Sequence, residues 1–135
     1  MAYKIEQIEG IGETYGAKLR GTGIATTAQL LKAAGDAKGR RSLAAATGLD
    51  EGRLLEWVNR ADLMRIKGIG TQYSDLLEAS GVDTVKELKM RNAANLAARM
   101  AEVNAAKKLT RAVPAEKMVA GWIEQAKVLA PAVSH

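Results

Sequence analysis

The sequence contains no cysteine and no phenylalanine, and its single histidine is the last residue, His135. Without cysteine there is no disulfide framework and no thiolate metal site. One terminal histidine argues against a zinc site or a histidine-based catalytic centre. No stretch approaches the ~18 apolar residues that span a bilayer, and the first residues lack the apolar run of a signal peptide. These absences predict a soluble cytoplasmic protein that is not an enzyme, has no membrane partner, and uses no metal or cofactor.

Aromatic residues are also scarce, at 4% of the chain, although 47% of the 135 residues are apolar. Alanine and leucine supply most of that apolar content. Such side chains suit close-packed helices better than a sheet. The composition therefore predicts an all-α protein.

The chain does contain a short glycine motif that occurs twice. Residues 8–12 read Ile-Glu-Gly-Ile-Gly and residues 66–70 read Ile-Lys-Gly-Ile-Gly, here called turn 1 and turn 2. The match continues past the glycines at the same offset, through the pairs Tyr15/Tyr73, Leu19/Leu77, Gly23/Gly81, Ile24/Val82, Thr26/Thr84, Gln29/Glu87 and Leu30/Leu88. The last pairs predict a Thr-x-x-Gln/Glu capping box in both copies. A repeated register of this length indicates an internal duplication.

Two glycines around one apolar residue allow a tight turn with positive φ, while the apolar residue anchors the turn in a core. Apolar periodicity resumes directly behind each turn, so a helix is expected to begin there. Four residues on, Gly16 and Ser74 are small enough for two helices to approach closely. The expected order of a helix, a glycine turn and a second helix resembles the helix-hairpin-helix motif. Its unpaired N–H groups suit a phosphate; alternatively, the turn only packs two helices together.

The remaining periodicity predicts helices along the whole chain. Thr26, Asp50 and either Asp83 or Thr84 are expected helix caps, Pro114 is expected at the first helical position, and residues 36–41 are expected to form a loop. The expected helices cover about 13–20, 26–35, 42–47, 50–65, 71–80, 84–91, 93–109 and 114–130. Repeat 1 (about 1–60) and repeat 2 (about 61–135) are predicted to pack with pseudo-twofold symmetry in a single compact domain. Neither repeat alone would bury enough apolar surface.

The net charge of +5 is modest, so its distribution is more informative than its sum. Basic residues outnumber acidic ones between residues 86 and 111, where the predicted supporting patch comprises Lys86, Lys89, Arg91, Lys107, Lys108 and Arg111. A smaller cluster is Lys38, Arg40 and Arg41. Beside phosphate-binding turns such clusters indicate an electrostatic footprint for nucleic acid; alternatively, they form an ordinary solvated face.

Residues 61–96 (ADLMRIKGIGTQYSDLLEASGVDTVKELKMRNAANL) and 101–129 (AEVNAAKKLTRAVPAEKMVAGWIEQAKVL), with the opening Ile-Glu-Gly-Ile-Gly, resemble a bacterial family of tandem helix-hairpin-helix proteins of unknown function. The resemblance covers essentially the whole chain and implies a SAM-like multi-helical domain. It assigns no reaction. More distant relatives are the paired helix-hairpin-helix domains that hold duplex DNA by its backbone. That likeness implies a phosphate cradle at Gly10, Gly12, Gly68 and Gly70, with the residues just behind them.

The two turns differ in charge. Glu9 and Glu13 flank turn 1 and would repel a phosphate, whereas turn 2 has cations before it and neutral donors after it. Turn 2 is therefore the predicted working site, where the helix dipole also favours an anion. The predicted nucleic-acid-binding residues are Arg65, Lys67, Gly68, Ile69, Gly70, Thr71 and Gln72, with Gly10 and Gly12 from turn 1.

Three functions remain open at this point. The first is a module that binds nucleic acid, duplex DNA foremost, without sequence preference. The second is a protein-interaction scaffold that keeps the fold without nucleic acid, and the third is a hydrolase or lyase acting on nucleic acid. A monovalent cation on the carbonyls of residues 68–70 is also open. Trp57 and Trp122 are expected in the core, Tyr15 and Tyr73 as supports of the turns or as stacking platforms, and Glu51, Glu56, Asp75 and Glu78 as solvated surface.

Overall fold

A computed structural model describes residues 3–135, and the chain is all α-helical over that span. Eight helices follow a short 3₁₀ turn at Ile5–Gln7. They are α1 (Gly12–Arg20), α2 (Thr27–Ala34), α3 (Ala37–Thr47), α4 (Glu51–Leu63), α5 (Thr71–Ala79), α6 (Val85–Leu88), α7 (Ala93–Lys107) and α8 (Glu116–Val128). No strand occurs among residues 3–135; one isolated bridge joins Lys4 to Thr26. The all-α prediction is confirmed. In the described span, no helix has the length and apolarity needed to cross a membrane.

Local capping chemistry starts several of these helices where it was expected. Thr26 Oγ1 accepts a hydrogen bond from Gln29 N at 3.2 Å, and Gln29 Oε1 accepts one from Thr26 N at 3.2 Å, which completes the first capping box. The second box is only half formed. Thr84 accepts from Glu87 N at 3.3 Å, but the Glu87 carboxylate pairs with Arg91 instead of turning back.

Two predictions about helix starts were wrong. The expected loop at residues 36–41 is the first turn of α3, because Asp36 caps it by accepting a 2.7 Å hydrogen bond from Gly39 N. Pro114 is not the first residue of α8. The backbone stays extended through the N-cap, Ala115 (φ −69°, ψ 155°), and the helix begins at Glu116.

The buried apolar side chains form two clusters, one in each half of the chain. The first is built around Trp57 and extends to Met64; the second is built around Trp122 and begins with Leu63. Both tryptophans are 2% exposed, which confirms their place in the core. Adjacent residues at the end of α4 therefore belong to different clusters. The division into two repeats near residue 60, their symmetry and the single-domain arrangement stay predictions.

An extended C-terminal segment, residues 129–135, crosses from α8 back to the first half. Arg40, expected in a basic cluster that forms an electrostatic footprint or a solvated face, is instead 5% exposed beneath it. Its guanidinium donates to the carbonyls of Ala34 (3.1 Å) and Gly35 (2.9 Å) at the end of α2, and to that of Ser134 (2.6 Å). Ser134 N donates back to Gly35 O at 2.8 Å. The cation thus satisfies helix-end carbonyls and fastens the segment to α2.

Candidate functional site

In each glycine turn the isoleucine side chains are buried and glycine residues are exposed. Ile8 and Ile11 in turn 1 are 1% exposed, and Ile66 and Ile69 in turn 2 are fully buried. Each such isoleucine contributes about 1.5–3 kcal/mol on burial. In contrast, Gly10, Gly12 and Gly68 are exposed. The backbone of both turns therefore faces solvent while their isoleucines fix them to the two cores.

The glycines do not all have the same conformation. Gly10 (φ 94°), Gly12 (φ 63°) and Gly68 (φ 100°) adopt the positive φ that was predicted. Gly70 does not: it is extended at φ −106°, ψ −156° and serves as the N-cap of α5. A Cβ on Gly68 would lie 3.0 Å from Trp122 Nε1, whereas one on Gly70 would lie 3.9 Å from the Tyr3 hydroxyl. The prediction of positive φ was thus wrong for Gly70, where packing and backbone alike accept a larger residue.

A tyrosine and a tryptophan support each turn in the same way. Tyr15 and Trp57 have ring centroids 5.2 Å apart with planes inclined by 54°, and for Tyr73 and Trp122 the values are 5.2 Å and 55°. Both tyrosines are partly buried against their clusters. Such tilted pairs stabilise by about 0.5–1.5 kcal/mol beyond their buried area. The rings therefore act as supports beneath the turns.

The helices that follow the turns begin without side-chain caps. Within the described residues, the N-termini of α1 and α5 have no side-chain cap, whereas α2, α3, α4, α6 and α7 each have one. The third uncapped helix there is α8. First-turn N–H groups without such partners carry the positive end of the helix dipole and suit an anion. Both glycine turns thus lead into helix ends of this kind.

Turn 2 is held in place by residues that were not foreseen. Lys67 N donates to Gln125 Oε1 at 3.0 Å, and Gln125 Nε2 donates to Lys67 O at 3.2 Å. The Tyr3 hydroxyl donates to Ile69 O at 3.5 Å. The amide of Lys67 is thus occupied, and only its exposed side chain is left to meet a ligand. Gln125 could have been found as the residue one helical turn beyond Trp122.

The loop between α7 and α8 is tied to the beginning of α5. Thr110 Oγ1 donates to Gln72 Oε1 at 3.3 Å, and the Tyr73 hydroxyl donates to Ala112 O at 2.9 Å. Asn104 closes the loop by two hydrogen bonds to Thr110, of 2.9 and 3.0 Å. Three exposed predicted cations lie on or next to this loop: Lys107, Lys108 and Arg111. The ties bring these cations to the side of turn 2.

The predicted neutral donors behind turn 2 are largely occupied. Thr71 Oγ1 donates to Gln7 O, which joins the second turn to the 3₁₀ turn before the first. Gln72 is exposed and uses its amide oxygen on Thr110, as described above. The side-chain NH₂ of Gln72 makes no hydrogen bond to another described residue. Of this pair, Gln72 is therefore the better placed to contact a phosphate.

The other predicted cations are already paired or lie outside the α7–α8 loop. Arg65 pairs with Asp62 and donates to Ala130 O at 2.9 Å. Lys86 and Lys89 are exposed at α6 and line, with Arg65, a cavity of about 330 Å³ beside the C-terminal segment. Arg91 donates to Gly81 O at 2.8 Å, beyond the opposite end of α5 from turn 2. The cations predicted to form one supporting patch therefore divide into two groups, and only one adjoins turn 2.

Turn 1 has an acidic rim. Glu9 and Glu13 are exposed beside it, and Arg53 donates to the Tyr15 hydroxyl at 3.1 Å. Glu6 forms two 2.7 Å hydrogen bonds with Arg20, which lower its pKa to about 2. Glu6 thus stays ionised at neutral pH. An anion would meet less attraction here than at turn 2.

Of the acidic residues expected on the solvated surface, Asp75 and Glu78 are instead partly buried against a buried cation, Arg60, whereas Glu56 is exposed as expected. Arg60 is 7% exposed and lies 2.7 Å from carboxylate oxygens of both Asp75 and Glu78, with Glu56 at 3.6 Å. Burial raises the pKa of Glu78, and the neighbouring carboxylates add to the rise while Arg60 opposes it. The cluster joins α4 to α5 through charge pairing.

The family model described as "Domain of unknown function (DUF4332)" matches residues 9–129. The chain belongs to this family. The expected membership of a family of unknown function is thereby confirmed. The DUF4332 match begins within turn 1 and includes turn 2, the α7–α8 loop and Gln125. No curated protein and no solved structure matches the chain.

Proposed function

We propose that this DUF4332 domain is a non-enzymatic helix-hairpin-helix module that binds nucleic acid, duplex DNA foremost, through phosphate contacts at turn 2. In this arrangement, α1 and α5 are the second helices of two hairpins. The N–H groups at the beginning of α5 and the side chains around it would hold the sugar-phosphate backbone. Contacts of this kind carry no sequence information, so binding is expected to be indifferent to sequence.

The observation that carries the proposal is the position of the α7–α8 loop. Because Thr110 and Ala112 are bonded to the first turn of α5, the exposed cations of that loop adjoin the same uncapped helix end as Lys67. These cations make no ion pair among the described residues. They are Lys67, Lys107, Lys108 and Arg111. A phosphate there would meet a helix dipole and several cations together.

The number of these cations sets an expected salt dependence. If each of the four neutralises one phosphate of a duplex, log affinity should fall against log salt with a slope of about −3.6. Between 50 and 200 mM salt, that slope corresponds to a roughly 150-fold loss of affinity. A neutral or purely apolar interface would show almost no dependence of affinity on salt.

Fluorescence anisotropy with duplex, single-stranded and RNA probes at two salt concentrations tests the proposal. Lys67→Glu should weaken duplex binding and reduce the slope, whereas Glu9→Lys at turn 1 should have little effect or strengthen it. Lys32→Glu, an exposed change of the same charge on α2, is the matched control. Equal effects of the changes at turn 1 and turn 2 would remove the preference for turn 2. No binding at low salt would refute the proposal.

A protein-interaction scaffold is the second candidate. It is favoured by the acidic rim of turn 1 and by exposed apolar side chains, Met90 at 78% and Val128 at 84%. A partner captured with the full chain and retained after nuclease treatment would support it. Loss of that partner in Met90→Ser or Val128→Ser would locate the surface.

A further inference from the structure

A cavity of about 460 Å³ opens directly beside turn 2. Its lining comprises Tyr3, Met64, Arg65, Ile66, Lys67 and Gly68. Pockets that hold small organic molecules begin at about 300 Å³. The cavity is therefore large enough for one nucleobase, and Lys67 and Gly68 belong both to its wall and to the turn.

The tyrosine in this wall is fixed at both ends. Tyr3 N donates to Thr27 Oγ1 at 3.2 Å, and Thr27 N donates to Tyr3 O at 2.9 Å, which hold its backbone against α2. Its hydroxyl reaches Ile69 O on turn 2. The ring is thus held between the first half of the chain and turn 2. A ring positioned in this way loses little conformational entropy when a ligand contacts it.

The chemistry of the lining changes from apolar to cationic. Met64 and Ile66 are 2% and 0% exposed and form the closed floor behind the cavity, so the half-buried Tyr3 supplies its accessible aromatic surface. Arg65 is neutralised by Asp62, so Lys67 supplies the unneutralised cation of the wall. An aromatic wall with one unneutralised cation at the turn suits a flat uncharged ring attached to a phosphate.

We infer that this cavity receives an unpaired nucleobase whose neighbouring phosphate binds at turn 2. This inference rests on the proposed function and refines it. The base of an intact duplex is stacked and paired and cannot enter, so the domain should prefer a nucleic acid with unpaired nucleotides next to a duplex. Base–aromatic stacking typically changes affinity by roughly 5- to 150-fold per base.

Three probes separate the base from the phosphates: a blunt duplex, the same duplex with a single-stranded overhang, and that overhang with abasic sites. Anisotropy should show the overhang bound about tenfold more tightly than the blunt duplex. Because the abasic overhang keeps every phosphate and lacks the bases, it should bind like the blunt duplex after correction for its added charge. If the abasic and normal overhangs bind equally, the cavity does not take a base.

Variants at Tyr3 then assign the effect to the cavity. Tyr3→Ala should abolish the preference for the overhang, and Tyr3→Phe should keep most of it because the ring remains. Tyr15→Phe, which removes a hydroxyl at turn 1, is the matched control and should leave the preference unchanged. A preference retained in Tyr3→Ala would overturn the inference. If Tyr3→Ala fails to fold, the abasic probe with the unaltered chain still decides the question.

The two failures are distinguishable. Blunt duplex bound with the expected salt slope, but without any gain from an overhang, would reject the cavity and leave the phosphate-binding function intact. Absence of binding to all three probes at low salt would reject both.

Discussion

Replacement of Gly68 by alanine should destabilise the chain, whereas the same replacement of Gly70 should leave its stability almost unchanged. An alanine at position 68 would have to adopt φ near 100°, which costs about 1–3 kcal/mol for a residue with a side chain. Its methyl group would also lie 3.0 Å from Nε1 of the buried Trp122, so the indole must shift. Overpacking of this kind adds about 1 kcal/mol. The expected loss for Gly68→Ala is therefore about 2–4 kcal/mol.

At position 70 the same change meets neither obstacle. The backbone is extended, and the new methyl group would make an ordinary 3.9 Å contact with the Tyr3 hydroxyl. Alanine restricts the unfolded chain, which stabilises by about 0.4–1 kcal/mol. It is a poorer N-cap than glycine, which costs a similar amount. Gly70→Ala should therefore change the free energy of unfolding by less than about 0.5 kcal/mol.

Thermal and urea unfolding, followed by circular dichroism, measure the difference. For a chain of this size, about 4 °C of melting temperature corresponds to 1 kcal/mol. Gly68→Ala should thus melt roughly 8–16 °C below the unaltered chain, and Gly70→Ala within about 2 °C of it. Equal melting temperatures for the two variants would refute the reasoning, because they would show that the turn tolerates a side chain at both places or at neither.

Gly70→Ala also provides a test of binding in a chain that remains folded. The residue is the N-cap of α5, directly before the N–H groups proposed to meet a phosphate. Alanine keeps every backbone N–H, but its methyl group adds bulk beside these donors. Obstruction of one charge-assisted hydrogen bond there costs about 1.5–3 kcal/mol, so duplex affinity should fall at least tenfold. Unchanged affinity in the folded variant would place the phosphate elsewhere.

Three further changes test other contacts. Gln125→Ala should lower stability by about 1–3 kcal/mol, measured by urea unfolding, because both backbone groups of Lys67 lose their partner. Arg40→Ala should cost about 2–4 kcal/mol in the same assay, since buried carbonyls lose a charged donor, whereas exposed Arg41→Ala should stay within about 0.5 kcal/mol. Because the pKa of Glu78 is raised on folding, its contribution is full below pH 4.5 and declines as pH rises through the folded-state pKa. The melting temperature of Glu78→Gln minus that of the unaltered chain should therefore be more positive at pH 7 than at pH 4. The reverse order of these two differences would contradict the raised pKa.

The parts of the fold predicted from the sequence are those set by neighbouring residues. Thr26 and Asp50 cap helices because each accepts a hydrogen bond from the N–H three residues on. The beginning of α3 was missed because residues 38–41 are polar and include a glycine. Its cap, Asp36, follows the same local rule, whereas the burial of Arg40 in this turn depends on a carbonyl of Ser134 far along the chain. A local pattern contains no sign of that contact.

The candidate site shows the same limit. Basic residue types predicted one supporting patch, but the sequence did not show that these cations divide into two groups or which of the predicted cations are already paired. Arg65 is neutralised by Asp62, and Arg91 donates a hydrogen bond to Gly81 O just beyond the end of α5. Conversely, the loop that carries Arg111 is brought to the beginning of α5 by two contacts, Thr110 with Gln72 and Tyr73 with Ala112, between residues 38 and 39 positions apart. Charge can be counted from a sequence, whereas its position beside a turn depends on tertiary hydrogen bonds.

Packing explains the bend of both turns, but it does not explain a difference in function between them. Each has buried isoleucines, a tilted tyrosine–tryptophan pair and a positive-φ glycine near the indole nitrogen, and these contacts account for the bend without any ligand. A functional difference must therefore come from the exposed rim, where Glu9 and Glu13 stand at turn 1 and Lys67 at turn 2. Exchanging charges between the rims changes that difference while leaving the buried contacts in place. If Glu9→Lys combined with Glu13→Lys transfers duplex binding to turn 1 in a chain that also carries Lys67→Glu, the rim decides function and the bend is only its support.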